Sequence, residues 1–181
     1  MNYNDVPGWF DFEGHYNRII ASAPPGSTLV EVGVWHGKSV IYLAERAAAA
    51  QKGLTIYAVD TFMGSTEHQT DLKIYPPGWL MRMFNHNIRV CNVVQSIIPI
   101  TLPSVDATKF FPEGSVFSVY IDAEHTYDSV KADILAWRPK IQPGGFIGGH
   151  DYLWDPATVA RAVNECLPQR QLEGSTWYQQ L

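Results

Sequence analysis

The sequence has few of the features that nucleic-acid-binding, membrane or disulfide-stabilised proteins need. Its 181 residues carry 13 Lys and Arg against 18 Asp and Glu, a formal net charge of −5, which leaves no basic face for a phosphate backbone. The two cysteines, Cys91 and Cys166, have no metal or disulfide spacing and fit a reducing cytosol. No apolar run approaches membrane-spanning length, and Met1–Asp5 lacks signal-peptide features. We therefore expect a cytoplasmic protein that binds neither nucleic acid nor membrane.

Strand-forming and helical segments alternate along the chain, which predicts an α/β fold. We expect a single three-layer, doubly wound (Rossmann-like) sheet that is mostly parallel, closed by a C-terminal antiparallel hairpin over Gln169–Glu173 and Thr176–Leu181. Residues 1–181 are predicted to form one domain, with residues 1–27 as an N-terminal helix and lid segment. The expected parallel strands are Thr28–Val32, Leu54–Val59, Ile97–Thr101, Val116–Ile121 and a segment from Gly145.

Acidic and histidine residues follow two of the predicted strands. Asp122-Ala-Glu124-His125 closes one strand, and His150-Asp151 closes the next. If these strands are neighbours about 4.8 Å apart, their carboxyl ends bring the side chains into the place where open α/β sheets bind ligands. Such a group suits a divalent metal beside a general base. Acids and histidines after strands also serve as helix N-caps, and the residues alone leave both interpretations open.

A glycine turn, Glu31-Val-Gly33-Val-Trp35-His-Gly37-Lys-Ser39, joins the first strand to its helix. Glycines allow a sharp turn and a close approach to a ligand at the helix N-terminus. The spacing differs from the Gly-x-Gly-x-x-Gly of dinucleotide sites, and Glu31 would repel a pyrophosphate. An acid there suits the ammonium group of a nucleoside that bears an amino acid. Asp60, at the end of the second strand, is positioned to accept both ribose hydroxyls.

These residues carry a family resemblance. The chain resembles class I S-adenosylmethionine-dependent methyltransferases, and within them the small metal-dependent O-methyltransferases that include the macrocin and mycinamicin sugar methylases. The matching motifs occur in the family's order along the chain. They are Glu31-x-Gly33-x-x-x-Gly37-x-Ser39, Asp60-Thr-Phe62-x-Gly64, Ser104-x-Asp106-Ala107, Asp122-Ala-Glu-His125-x-Tyr127 and Pro143-Gly144-Gly145 followed by His150-Asp151.

The resemblance implies a role for each matching residue. The cofactor-binding set is expected to be Glu31, Gly33, Gly37 and Ser39 at the methionine part, Asp60 at the ribose, Phe62 on the adenine ring, and Asp106 and Ala107 at the adenine edge.

The same resemblance implies a metal site and a base. Asp122, Asp151 and His150 match metal-ligand positions, and His125 or Glu124 matches the general base. His150 stands where magnesium-binding relatives tend to carry an acid, so manganese, iron or zinc becomes more credible than magnesium.

The sequence thus predicts an S-adenosylmethionine-dependent methyltransferase that methylates a small hydroxylated acceptor, such as a sugar or natural product, with help from a divalent metal. Three alternatives stay open: an iron-dependent hydroxylase-like enzyme, a nicotinamide-dependent enzyme, and a cofactor-binding protein without catalysis. Acceptor specificity is expected from the N-terminal segment and the Thr61–Gly78 loop. In a homo-oligomer, a neighbouring subunit would complete the site.

Overall fold

The structure is a computed structural model, and it describes residues 1–65 and 75–181. Within these residues, seven strands form one sheet in the order β3-β2-β1-β4-β5-β7-β6. The strands are β1 Thr28–Val32, β2 Thr55–Val59, β3 Ile97–Ile100, β4 Val116–Ile121, β5 Ile141–Gly149, β6 Gln171–Glu173 and β7 Thr176–Gln180.

The strand directions match the expected mixture. Strands β1 to β5 pair in parallel, while β7 runs antiparallel to both β5 and β6. Chain order reverses between β1 and β4, which creates a topological switch point at the carboxyl edge. The doubly wound fold and its C-terminal hairpin are confirmed.

Helices cover both faces of the sheet. They are α1 Glu13–Ser22, α2 Lys38–Ala50, α3 Trp79–Val90, α4 Ser104–Ala107, α5 Tyr127–Trp137 and α6 Val159–Cys166. Alternate β1 side chains divide between two cores, because successive strand residues point to opposite faces. Leu29 joins the core under α1, α2 and α3, whereas Val30 and Val32 join the core under α5 and α6. No helix of the described residues has the length and apolar composition needed to cross a membrane.

Strand β5 begins earlier than the sequence pattern indicated. It starts at Ile141 rather than near Gly145, and it runs through Pro143 and Gly144. The ladder pairs Val116 with Ile141 and then Ser118 with Phe146, so the extra β5 residues bulge out of register. A bulge accepts the proline and glycines that would interrupt a regular ladder.

His15 on α1 is a buried histidine of the core. Its side chain is 1% exposed, and its ring packs 5.1 Å from Tyr120 and 5.2 Å from Tyr178. Burial lowers the pKa of His15 to about 3, with Arg18 adding to the shift. The imidazole is therefore a neutral core group.

Candidate active site

A cavity of about 930 Å³ opens at the carboxyl edge of the sheet. Its walls come from the segment before α1, the β1–α2 turn, the ends of β2, β4 and β5, the β3–α4 connection and one face of α5. That volume lies at the upper end of the range for small-molecule sites. The cavity is large enough for a nucleoside cofactor and a small second ligand together.

The strand register brings the predicted clusters to one place. Val32 pairs with Ile121, and Ile121 pairs with Gly149, so Gly33, Asp122 and His150 each leave the sheet at the same level. Gly33 has a φ of +85°, and a Cβ there would overlap the carbonyl oxygen of Asp122. Only glycine fits this position without displacing the β4 end.

Asp60 fastens the glycine turn to the end of β2. Its Oδ2 accepts the N–H groups of Val34 at 2.9 Å and Trp35 at 3.0 Å, and its Oδ1 accepts the N–H of Phe62 at 2.7 Å. Burial raises the pKa of Asp60, and the three backbone N–H groups act against that rise. Trp35 and Phe62 both have a left-handed φ, 48° and 55°. Non-glycine residues in that region concentrate at functional loops.

Glu31 is buried behind the glycine turn. It is 0% exposed and accepts hydrogen bonds from the Tyr16 hydroxyl at 2.7 Å and from Ser39. Burial raises the pKa of Glu31 to about 8. Ser39 borders the cavity, but Glu31 is not among the lining residues. The expected contact between Glu31 and the cofactor ammonium is therefore not supported; Glu31 supports the turn through Ser39.

Three side chains at the ends of β4 and β5 form a candidate metal centre. One ligand atom from each of Asp122, His125 and Asp151 lies within 4.8 Å of the others. His125 Nε2 is 2.9 Å from Asp151 Oδ2. Asp151 has a left-handed φ of 59°, which turns it from the strand direction toward this group. Two carboxylates and one imidazole are a donor set that suits first-row transition ions.

His150, the third ligand expected from the sequence, lies beside this group and not in it. Its Nε2 is 2.9 Å from Asp11 Oδ1, an ion-pair approach without hydrogen-bond alignment, and its Nδ1 is 3.3 Å from Asp151 Oδ1. Phe12 packs against the ring at 5.2 Å. His125, on the β4–α5 loop, takes the place expected of His150, with its Nε2 at 2.9 Å from Asp151 Oδ2.

The two carboxyl groups of the cluster are electrostatically unequal. Burial raises the pKa of Asp122 to about 7, although His150 and His125 oppose this, and the Asp151 charge raises it further. Burial also acts to raise the pKa of Asp151, but hydrogen bonds from His125 and His150 outweigh it and leave a net lowering. A cation would satisfy both carboxylates, so the residues present fit a divalent metal.

The residues expected at the adenine end of the cofactor lie outside the cavity wall. Asp106 is half exposed and pairs with Lys109 at 2.6 Å, and Ala107 is 0% exposed in the core under α5 and α6. Phe62 is buried against Phe84 with ring centroids 5.0 Å apart. None of these three side chains lines the cavity, so their expected adenine contacts are not supported.

Ser104 and Asp133 border the cavity instead, and the sequence reasoning missed both. Trp137 Nε1 donates to Ser104 Oγ at 2.9 Å, so the Ser104 hydroxyl directs its own proton to Asp133. Asp133 is 5% exposed, and burial raises its pKa to about 6 while the Ser104 bond opposes the shift. The sequence does indicate that Asp133 is buried, because it lies three residues after Val130 and four before Trp137, on the buried face of α5.

Some of the remaining predicted residues line the cavity. Glu124 and His125 both line it, and the His125 ring lies 5.6 Å from that of Trp154. Thr61, Gly64 and Ser65 also line it, while residues 66–74 of the expected specificity loop lie outside the described residues.

Comparison with known proteins identifies the family. Residues 30–152 match a family described as a methyltransferase domain. The chain belongs to this family. That stretch runs from β1 to just beyond Asp151 and so includes the glycine turn, Asp60 and the candidate metal centre.

Individual relatives are more distant. A protein of Sinorhizobium fredii described as uncharacterized protein y4gI is 28% identical over 141 residues, which is 76% of this chain and 14% of that protein. The chain thus spans only a small part of that relative.

Solved structures share the fold. The O-methyltransferase NovP superposes with a TM-score of 0.69 at 20% identity, covering 91% of this chain and 75% of NovP. CalS11, described as a TDP-rhamnose 3'-O-methyltransferase, gives 0.63 at 16% identity, covering 92% and 76%. The family match confirms the predicted resemblance to methyltransferases, and these solved structures share the fold.

Proposed function

We propose that this domain is an S-adenosylmethionine-dependent O-methyltransferase that methylates a small hydroxylated acceptor with the help of a divalent metal. One observation carries the proposal. The glycine turn and Asp60 share a single cavity with the cluster of Asp122, His125 and Asp151. A cofactor held at the turn would therefore present its methyl group beside a place where an acceptor oxygen can be activated.

The cofactor half of the cavity offers complementary groups for each part of S-adenosylmethionine. Asp60 lines the cavity, and its carboxylate, which backbone N–H groups hold in place, suits the ribose hydroxyls as a hydrogen-bond acceptor. Lys38 lines the cavity at the start of α2 and suits the methionine carboxylate together with the helix N-terminus. Asp133 suits the exocyclic amine of adenine as a hydrogen-bond acceptor.

Asp122, His125 and Asp151 would hold the metal. A divalent ion in that position supplies a lowered pKa for a coordinated acceptor hydroxyl. The mixed oxygen and nitrogen donors favour manganese or iron over magnesium. The ring of His125 is also packed against Trp154, which limits its rotation.

His125 or Glu124, which both line the cavity, would remove the proton of the acceptor hydroxyl. A histidine that ligates a metal cannot accept the acceptor's proton through the same nitrogen, so a ligand role for His125 Nε2 favours Glu124 as the base. The rest of catalysis is alignment, because the acceptor oxygen would attack the methyl carbon in line with the carbon–sulfur bond that breaks, and the neutral thioether of the demethylated cofactor would leave.

CalS11 is described as a methyltransferase of a rhamnose derivative, which supports sugars as the first acceptors to screen. The test is a methyl-transfer assay with S-adenosylmethionine, Mn²⁺ and a panel of sugars and phenols, read as formation of the demethylated cofactor. Turnover that requires both the acceptor and Mn²⁺, and that Asp60→Ala reduces, is the expected result. Failure of calorimetry to detect binding of either cofactor form would overturn the proposal.

A further inference from the structure

Tyr16, a buried residue of α1, connects parts of the molecule that surround the cofactor half of the cavity. Its side chain is 2% exposed and does not itself line the cavity. Its ring packs against Phe12 at 5.2 Å and Phe10 at 6.0 Å between centroids, and both phenylalanines line the cavity. Its hydroxyl donates to Glu31 Oε2 at 2.7 Å. Tyr16 lies outside residues 30–152, which match the family, so that match assigns it no role.

Glu31 depends on two hydroxyl groups because its carboxyl group has no contact with solvent. It is 0% exposed, and the side chains of the described residues that donate to it are those of Tyr16 and Ser39. Burial raises the pKa of Glu31 and the two hydrogen bonds act against this rise, whereas the nearby charges of Asp122 and Asp60 add to it. An unsatisfied buried acceptor is costly, so loss of the Tyr16 hydroxyl would change how Glu31 bonds to Ser39.

Ser39 extends this network to the cavity. It lies in the first turn of α2, which begins at Lys38, and it lines the cavity. A serine hydroxyl has one proton, and Glu31 accepts it, so the free lone pairs of Ser39 Oγ are left to accept hydrogen bonds from a ligand. Gly37, at the N-cap of α2, has no side chain to cap the helix, so the N–H groups of the first turn are also left for a ligand.

We propose that Tyr16 is a positioning residue for the cofactor, which acts through Glu31 to hold the Ser39 hydroxyl as a hydrogen-bond acceptor at the start of α2. The inference rests on the proposed binding of S-adenosylmethionine at the glycine turn. The ammonium group of the methionine part donates hydrogen bonds and accepts none, so it suits Ser39 while Ser39 donates to Glu31. Without the Tyr16 hydroxyl, Glu31 keeps its proton more readily and can donate it to Ser39 Oγ, and the serine proton then turns toward the ligand.

Calorimetry on the full chain, with S-adenosylmethionine and with its demethylated form, tests the role of Tyr16. The pH is set to 8, because burial raises the pKa of Glu31 to about 8 and the carboxyl group is most sensitive to a lost hydrogen bond near its pKa. Tyr16→Phe removes the hydroxyl and keeps the ring, and it should weaken binding of both ligands about five- to ten-fold. Affinities within about two-fold of the wild-type values overturn the inference.

Tyr42→Phe is the matched control. Tyr42 lies on α2 and is 4% exposed, and its hydroxyl donates to Asn17 Oδ1 at 3.0 Å, so this hydrogen bond also joins α1 to α2. The bond does not involve Glu31, and neither Tyr42 nor Asn17 lines the cavity. Both substitutions should lower the midpoint of urea denaturation by similar amounts, whereas Tyr42→Phe should leave cofactor affinity within about two-fold. Equal losses of affinity would make Tyr16 a general support of α1 and overturn the inference.

A double-mutant cycle with Ser39→Ala decides whether Tyr16 acts through the serine. Ser39→Ala should weaken cofactor binding by itself, and adding Tyr16→Phe should cause less than about a two-fold further loss. Additive losses overturn the inference. Unchanged affinity in Ser39→Ala also overturns it, and this result counts even if Tyr16→Phe does not fold. These measurements require no turnover: a wild-type protein that binds the cofactor but methylates no acceptor contradicts the proposed function alone, whereas one that binds neither cofactor form contradicts both.

Discussion

Gly33 and Asp122 touch at the point where β1 and β4 leave the sheet. Asp122 donates its N–H to Val32 at 2.7 Å, and the space that a Gly33 Cβ would need is filled by the carbonyl group of Asp122. This contact joins the cofactor half of the cavity to the candidate metal centre. The distance between a bound methyl group and the cluster is therefore set by backbone atoms.

Gly33→Ala should consequently destabilise the protein and weaken cofactor binding together. The change adds a steric overlap with backbone to an unfavourable φ of +85°, and such strained positions cost about 1–3 kcal/mol or more. Gly26→Ala is the control, because Gly26 has a φ of +78° with nothing within 4 Å of a built Cβ. Chemical denaturation should show a loss of about 1 kcal/mol in the free energy of unfolding for the control and a clearly larger loss for Gly33→Ala. Equal losses would mean that the overlap is relieved by a small shift.

The link between Asp60 and the glycine turn predicts a second effect. Asp60→Asn keeps one acceptor oxygen but turns an NH₂ group toward backbone N–H donors, which leaves at least one of them unsatisfied. Cofactor affinity should fall about ten-fold or more, in line with the roughly 1–3 kcal/mol for an unsatisfied buried donor. Isothermal calorimetry with S-adenosylmethionine measures it.

Asp106→Asn is the matched control for that experiment. The sequence motif assigns Asp106 to the adenine edge, whereas the structure pairs it with Lys109 at the surface. Its substitution should leave cofactor affinity within about two-fold, as expected of a surface ion pair. A large loss there would restore the role expected from the motif.

The presence of His125 instead of His150 among the candidate metal ligands gives a third prediction. His125→Ala should weaken Mn²⁺ binding at least ten-fold, because it removes one of three candidate ligands, while His150→Ala should weaken it less. Electron paramagnetic resonance titration of free against bound Mn²⁺ measures this without turnover. The opposite ranking would favour the set of Asp122, His150 and Asp151 indicated by the sequence.

These cases show which parts of the molecule follow from the sequence. Strand order and the location of the site are readable because the hydrophobic pattern fixes which residues enter the sheet, and parallel strands end at one edge. The partners of His125 and His150 are not readable, since loop conformation directs their rings. The surface pairing of Asp106 with Lys109 is not readable for a related reason: a four-residue helix does not reveal which side faces the cavity.

Asp133 supplies the last prediction, in which stability and cofactor binding change in opposite directions. Its pKa is about 6 in the folded protein and 3.8 when unperturbed. The folded state therefore holds its proton to higher pH than the unfolded state, and the protein loses stability as pH rises from about 4 to 6. Asp133→Asn removes this penalty and should stabilise the protein by about 1–3 kcal/mol at pH 7.

The same carboxylate, once ionised, is the proposed acceptor for the adenine amine. Wild-type affinity for S-adenosylmethionine should thus fall as pH drops through 6, whereas Asp133→Asn should bind more weakly at pH 7.5 and show a flat profile across that range. Asp128→Asn, at an exposed position of the same helix, should change stability by less than about 0.5 kcal/mol. Calorimetry between pH 5 and 8 decides the matter: a variant that gains stability without losing affinity would remove Asp133 from the cofactor site and leave it a buried acid of the fold.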